Sequence, residues 1–173
     1  AHVGREMEDH IGPLERAGLA IRPIRSRADV HAFATLLTDV RPDVVHLHNP
    51  YPLISPWVVR VAAELDVPVV QTVHNYRMSC VAGSFYRDGH ACEDCLGRAL
   101  PWPAVAHGCY RGSRVQSVPM ALALAAHRGT WALVDRFLPL TTFVAEKLQA
   151  AGVPETRITV RPNAVPDPGP PEP

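Results

Sequence analysis

Short apolar runs alternate along this chain with longer stretches of helical periodicity, and the runs end in polar, turn-forming residues. Asp43 to His48 (DVVHLH), Val67 to His74 (VPVVQTVH), Arg136 to Leu140 and Ile158-Thr159-Val160 read as strands, with Leu19 to Ile24 a shorter candidate. Glu6 to Ala17 has the spacing of an amphipathic helix, with Met7, Ile11 and Leu14 on one face, a kink at Pro13 and Gly18 as its stop. Ala28 to Val40 is a second helix, with Val30, Phe33, Leu36 and Leu37 on its buried side and Arg41-Pro42 ending it. Ser55-Pro56 opens a third that runs to about Leu65, Ser as the cap and Pro in the first turn. Val118 to Leu133 is mainly helical and apolar nearly all round, and Thr142 to Ala151 is a helix stopped by Gly152.

Strands alternating with helices of this length predict an α/β fold: a Rossmann-like parallel sheet with helices on both faces. Right-handed crossovers then bring the C-terminal ends of all strands to one edge. That edge collects His48, Asn49, Pro50, His74, Asn75, Thr141, Thr142 and Asn163, and it is the expected place for ligand chemistry. His46 shares a strand face with His48 and, lying deeper in the sheet, is expected to pack under a helix. The chain opens with a helix where such a fold opens with a strand, and it contains neither a G-x-G-x-x-G nor a Walker pattern, so the first strand and its phosphate loop are expected to be missing. Residues 1–165 read as one domain with a cysteine-bearing insert at about 76–114, and 166–173 as a linker stub leading toward a C-terminal domain outside the chain.

Composition narrows the classes. The 17 basic and 17 acidic residues cancel, so no basic field points to nucleic acid. No apolar run approaches the roughly 20 residues of a membrane-spanning helix, and no signal-peptide pattern opens the chain. The expected location is cytoplasmic, with the inner face of the membrane open to it, since the apolar helix at 118–133 could make peripheral membrane contact. In that compartment a Cys-x-x-Cys reads first as metal or redox chemistry. All four cysteines, Cys80, Cys92, Cys95 and Cys109, fall in the insert after the His74 strand, with a single Cys-x-x-Cys pair. They are candidate ligands of a structural zinc; reduced thiols packing the loop, and one or two disulfides, are the other readings. His90 and His107 are reserve ligands. A site of four thiolates would leave no open position for substrate, so no catalytic metal is expected.

Four segments taken together, RPDVVHLHNPYPLISP, VPVVQTVHNYRMSC, VDRFLPLTTFVAEKL and ITVRPNAV, resemble in order the N-terminal domain of family 4 retaining glycosyltransferases, two-domain enzymes of the GT-B type. RDGHACEDCLG and HGCYRGSR are similar to a subgroup with a cysteine-bearing insertion after the histidine strand. The resemblance implies an N-terminal domain that binds the acceptor. Its partner would be a C-terminal domain holding most of the nucleotide-sugar donor, and the isolated N-terminal domain would be inactive. His74 matches the family's strand-end histidine beside the reacting sugar and is the catalytic candidate. His48, Asn49, Asn75, Tyr76, Arg77, Thr141 and Asn163 are the substrate-binding candidates around it. His48-Asn49-Pro50 stands for a His-Glu-Pro-like turn, with Asn for Glu. Pro162-Asn163-Ala164-Val165 stands for the hinge Pro-Asn-Gly-Val, with Ala where Gly would ease a left-handed backbone.

On position alone, His74 also reads as a histidine hydrogen-bonded at a strand terminus, and His48 as a supporting residue. Arg77, Arg87, Arg98, Arg111 and Arg114 make the insert basic; singly they are a solvated face, and together they could meet an anionic acceptor such as a lipid diphosphate or acidic glycan. The acceptor class stays open among glycan, lipid-linked and small-molecule substrates. The competing reading is a stand-alone, zinc-stabilised binding domain on the same fold. A hydrolase is disfavoured, since no Gly-x-Ser-x-Gly elbow occurs.

Overall fold

The computed structural model describes residues 23–50 and 54–163. The expected helix at 6–17 and nearly all of the strand at 19–24 lie outside them, as do the linker residues 166–173; Pro23 and Ile24 themselves form a turn. The first helix among the described residues is α1 (Arg27–Val40), where the Asp29 amide donates to the Ser26 hydroxyl at 3.2 Å. The chain leaves it through Arg41, left-handed at φ 49°, whose amide closes on Leu37 O, and Pro42 prevents continuation. Only Leu37 of α1 is fully buried, with Val30, Phe33 and Ala34 packed beside it. Leu36, expected in that face, is exposed instead. One residue on a helix turns about 100°, so Leu36 cannot share the stripe set by 30, 33, 34 and 37.

Strand β1 (Val45–His48), helix α2 (Trp57–Glu64) and strand β2 (Val69–Val73) follow. Ser55 starts α2 as expected, its hydroxyl accepting from the Trp57 amide at 3.3 Å. The insert carries a small hairpin, β3 (Tyr86–Arg87) and β4 (His90–Ala91), and a short helix α3 (Trp102–Ala106). Helix α4 (Arg114–His127) begins four residues earlier than the expected 118, because Ser113 caps it by accepting from Gln116 N; Pro119 is carried inside the helix. A 3-10 turn (Trp131–Leu133), strand β5 (Arg136–Pro139), helix α5 (Thr142–Ala150) and a second 3-10 turn (Glu155–Arg157) complete the order. The expected last strand is reduced to a parallel bridge, Phe137 to Ile158, extended by the Thr159 and Arg161 amides bonding along β5.

The sheet is parallel, in the order β1-β2-β5, with Val45 opposite Val69 and Val70 opposite Arg136. Its period of two decides the core. One face carries Val45, Val69, Val73 and Phe137, all buried with Val59, Val61, Ala62, Val134 and Leu148 of the flanking helices and turns. The other carries His46, His48, Arg136 and the half-buried Val70 and Leu138, and is far more open. A second, smaller cluster joins Val81, Ala104 and Val105 of the insert to Met120, Ala121, Ala123 and Leu124 of α4. This is a Rossmann-like α/β arrangement: a three-stranded parallel sheet flanked by helices.

A buried polar network, which sequence reasoning missed, ties the turn at Pro23 and Ile24 to the helices. His127 is 1 % exposed; its Nε2 lies 2.9 Å from Ile24 O and 3.1 Å from Pro23 O, and its Nδ1 lies 3.2 Å from Thr130 Oγ1. Arg60 Nε donates to the same Thr130 oxygen at 2.8 Å, and the Ser55 hydroxyl donates to Ile24 O. The two carbonyls require the proton on Nε2, leaving Nδ1 to accept from Thr130. Burial, opposed by the two carbonyl hydrogen bonds and helped by Arg60, holds the His127 pKa below 6.5.

Candidate active site at the strand exits

Parallel pairing in register sets His48 opposite Thr72, so the β1 and β2 exits deliver their next residues side by side. His48 Nδ1 and His74 Nε2 are 3.0 Å apart, a hydrogen bond between two exposed rings. One residue further along each strand, Asn75 Nδ2 donates to Asn49 Oδ1 at 3.1 Å. Asn49 is left-handed at φ 44°, a conformation Asn tolerates better than most residues, and this turns the chain into Pro50. Asn75 Oδ1 in turn accepts from the Arg77 amide at 3.0 Å, so the turn after β2 is fixed by the same side chain that bridges to β1. Four of the expected residues therefore form one cluster.

His46 extends the cluster inward. Its ring stacks 4.3 Å from that of His48, and its Nε2 is 2.8 Å from Thr72 Oγ1. The expectation that it packs under a helix is corrected: His46 is exposed on the open sheet face. Partial loss of solvent, and then the neighbouring His48, lower its pKa from 6.5. The ladder Thr72–His46–His48–His74 follows from alternation on parallel strands, a signal present in the sequence.

The other candidates are placed around this cluster in different ways. Tyr76 is half-buried, with its ring 4.8 Å from Phe85 and 6.3 Å from the edge of Phe143. Phe143, 53 % exposed at the start of α5, offers an aromatic face that sequence reasoning did not single out. Thr141 caps α5, its hydroxyl accepting from Val144 N at 3.2 Å. Arg77 turns its guanidinium into the insert, donating to Val81 O at 3.3 Å and lying 6.0 Å over the Tyr110 ring. Asn163 is exposed and makes no hydrogen bond to the His–Asn cluster. Beneath the cluster, a cavity of about 10 Å³, one water in size, is bordered by Asn49, Gln71, Asn75 and Arg77. Gln71 Oε1 is buried there without a hydrogen-bond partner. A separate cavity of about 470 Å³ is lined by Arg98, Leu124, Arg128, Phe137 and Arg157, and none of the strand-exit residues borders it.

The four cysteines are free and half-buried. Among the described residues no three His, Cys, Asp or Glu side chains stand in metal-holding geometry. All four cysteines nevertheless border one small cavity, together with Val81, Phe85, Tyr86, Arg87 and Ala104. His90 and His107 do not border it; His90 contacts Asp88 O instead. Burial pushes the Cys95 thiol up to about 11 and raises that of Cys109 as well. The Cys92–Cys95 turn is tied down by both of its acids, Asp94 to Arg87 at 3.1 Å and Glu93 to Lys147 of α5 at 2.5 Å. Among the described residues no helix is long and apolar enough to cross a membrane.

The parallel α/β sheet with polar side chains gathered at the strand C-terminal edge agrees with the order of the strand-end motifs. The chain matches the glycosyl transferase 4-like domain family over residues 5–164, and it belongs to that family. No curated protein and no solved structure matches it.

Proposed function

We propose that this domain forms the acceptor side of a retaining, nucleotide-sugar-dependent glycosyltransferase of the GT-B type. The observation that carries the proposal is the paired cluster His48–His74 and Asn49–Asn75 at adjacent strand exits. Such an array of neutral donors and acceptors suits hydroxyl groups, which both give and accept hydrogen bonds. An exposed aromatic ring at Phe143 suits the apolar face of a sugar.

In this reading the acceptor oxygen bonds to the anomeric carbon of the donor sugar while the bond from that carbon to the nucleotide's phosphate oxygen breaks. The acceptor proton passes to the departing phosphate. His74 hydrogen-bonds sugar hydroxyls near the reacting carbon and is itself oriented by His48. Asn49 and Asn75 hold the two turns, Tyr76 and Thr141 border the acceptor, and Asn163 lies toward the interdomain hinge. No catalytic metal takes part. A C-terminal domain supplies the donor site, so the isolated domain does not turn over. Arg111 and Arg114, both exposed, suit an anionic or lipid-linked acceptor. The exposed stripe Val115, Val118 and Leu122 of α4 suits peripheral contact at the inner membrane face.

The test uses the full-length product of the encoding gene, incubated with a panel of nucleoside-diphosphate sugars and candidate acceptors. The reading predicts transfer with an unchanged anomeric configuration in the product, and loss of transfer with His74→Ala. Acceptor binding without turnover under every donor would favour a binding module instead. An inverted product would overturn the retaining mechanism.

A further inference from the structure

The insert poses a stability problem that its own core does not solve. Residues 76–114 contain two strands of two residues and one helix of five, and their buried apolar side chains are few and mostly small: Val81, Phe85, Ala104 and Val105. A segment this irregular needs a cross-link, as small domains in general do. The four cysteines come from three different parts of it: the turn after β2, the Cys92–Cys95 turn beyond the hairpin, and the loop after α3. The fold nonetheless brings all four to the wall of one cavity of about 20 Å³.

Four cysteines around one small cavity suit a single ion. The local backbone is built to present the sulfurs. Gly83, left-handed at φ 80°, closes a turn onto Cys80 O, and the Cys92 amide bonds back to Phe85 O at 2.8 Å. Asp88 and Gly89, both left-handed, make the two-residue hairpin turn that sets Arg87 opposite His90 and brings Cys92 back to Phe85.

Arg87 decides between the alternatives. Its Nη2 is bonded to Asp94 and its Nε lies 3.8 Å from Asp88 Oδ2 as an ion pair, but among the described residues the buried Nε and Nη1 have no hydrogen-bond partner, and the side chain borders the same cavity. Buried guanidinium N–H groups without acceptors are costly. A disulfide and neutral thiols are both weak acceptors for these donors. Thiolates accept from them far better, and buried thiols become thiolates when a divalent cation takes the proton's place.

We propose that Cys80, Cys92, Cys95 and Cys109 bind one structural zinc ion, with Arg87 as the outer cation that donates to the coordinated sulfurs. Four thiols and Zn²⁺ give a tetrathiolate of net charge −2 and release four protons, and Arg87, itself paired with Asp94 and Asp88, is the cation that borders it. The cysteines border the cavity rather than converge in it, so binding draws the sulfurs inward and couples to ordering of the insert. The ion then fixes the Cys92–Cys95 turn, and through Glu93 and Lys147 it braces α5, which begins at the strand-exit edge. The inference stands apart from the glycosyltransferase reading, because it rests on residues that the sugar site does not use.

The experiment is elemental analysis with thiol titration on the chain purified under reducing conditions, followed by cobalt(II) titration of the metal-free protein. One zinc per chain is expected, with the thiols reactive only after chelation, and cobalt is expected to give the ligand-field spectrum of a tetrahedral tetrathiolate. Cys92→Ser and Cys95→Ser should each lose that spectrum. Because either variant could fail to fold, Arg87→Met provides the second check: it should keep the metal but weaken affinity by roughly 10- to 100-fold, as loss of an outer-shell partner does. Four freely titrating thiols without metal, two disulfides, or stoichiometric iron in place of zinc would each overturn the proposal.

Discussion

Replacing His127 with Leu tests whether the buried network, rather than apolar packing alone, anchors the turn at Pro23 and Ile24 to α2 and α4. Leucine fills much of the imidazole volume, so the cavity contribution is small. The polar loss is not. Ile24 O keeps the Ser55 hydroxyl as a donor, but Pro23 O and the Thr130 hydroxyl proton each lose their partner in a site where Thr130 is fully buried. Stranding two buried polar groups at about 1–3 kcal/mol each, with partial relaxation, gives an expected loss of about 2–4 kcal/mol. Urea unfolding near pH 8, with the slope of the transition unchanged, reads this directly.

The same substitution has a signature in pH. The folded pKa of His127 lies below its unfolded value of 6.5, so the unfolded chain binds the extra proton first. Wild-type stability from this group is complete above 6.5 and falls as pH drops from there toward the folded pKa, by at most about 1.4 kcal/mol per pH unit. The leucine variant lacks this loss, so the gap between the two proteins should narrow as pH falls below 6.5. A deficit under 1 kcal/mol near pH 8, or one that stays constant down to pH 5, would refute the neutral, doubly bonded histidine.

Three further outcomes follow from local geometry. Asp135 Oδ2 accepts from the Val69 amide at 2.8 Å at the start of β2, so Asp135→Ala should cost about 1–2 kcal/mol by thermal or urea unfolding, and Asp135→Asn less. Gly83 is left-handed, and an added Cβ would meet Arg77 Cγ at 2.8 Å; Gly83→Ala should destabilise by about 1–3 kcal/mol and raise proteolytic cleavage within the insert. If the four cysteines hold zinc as proposed, chelating it should lower the melting temperature and expose the insert, but not the sheet, to amide hydrogen exchange.

The sheet was legible because its signals are local. Val69 to Val73 is β-branched at every position but Gln71 and covered on both sides, as a central parallel strand is, and the polar residues that end each run, His48-Asn49 and His74-Asn75, meet because register follows from parallel pairing. The error at Leu36 came from counting apolar residues instead of angles. The expected start of α4 at Val118 passed over Ser113, which supplies the cap four residues before Ser117. The His127 network left no trace in the sequence, because its members at 24, 55, 60, 127 and 130 meet only after three elements have packed. The insert was legible as chemistry but not as shape. Its path turns on left-handed residues at Phe85, Asp88 and Arg111, and no pattern of apolar positions encodes those.

The measurement that tests the central claim most directly is sugar transfer by the full-length protein, with and without His74→Ala. A hydrogen-bond donor that acts on the reacting sugar should cost at least about a hundredfold in kcat when removed, with folding stability and acceptor affinity little changed. If the variant transfers sugar within twofold of the wild type, the cluster at the strand exits is structural and the account of the site is wrong.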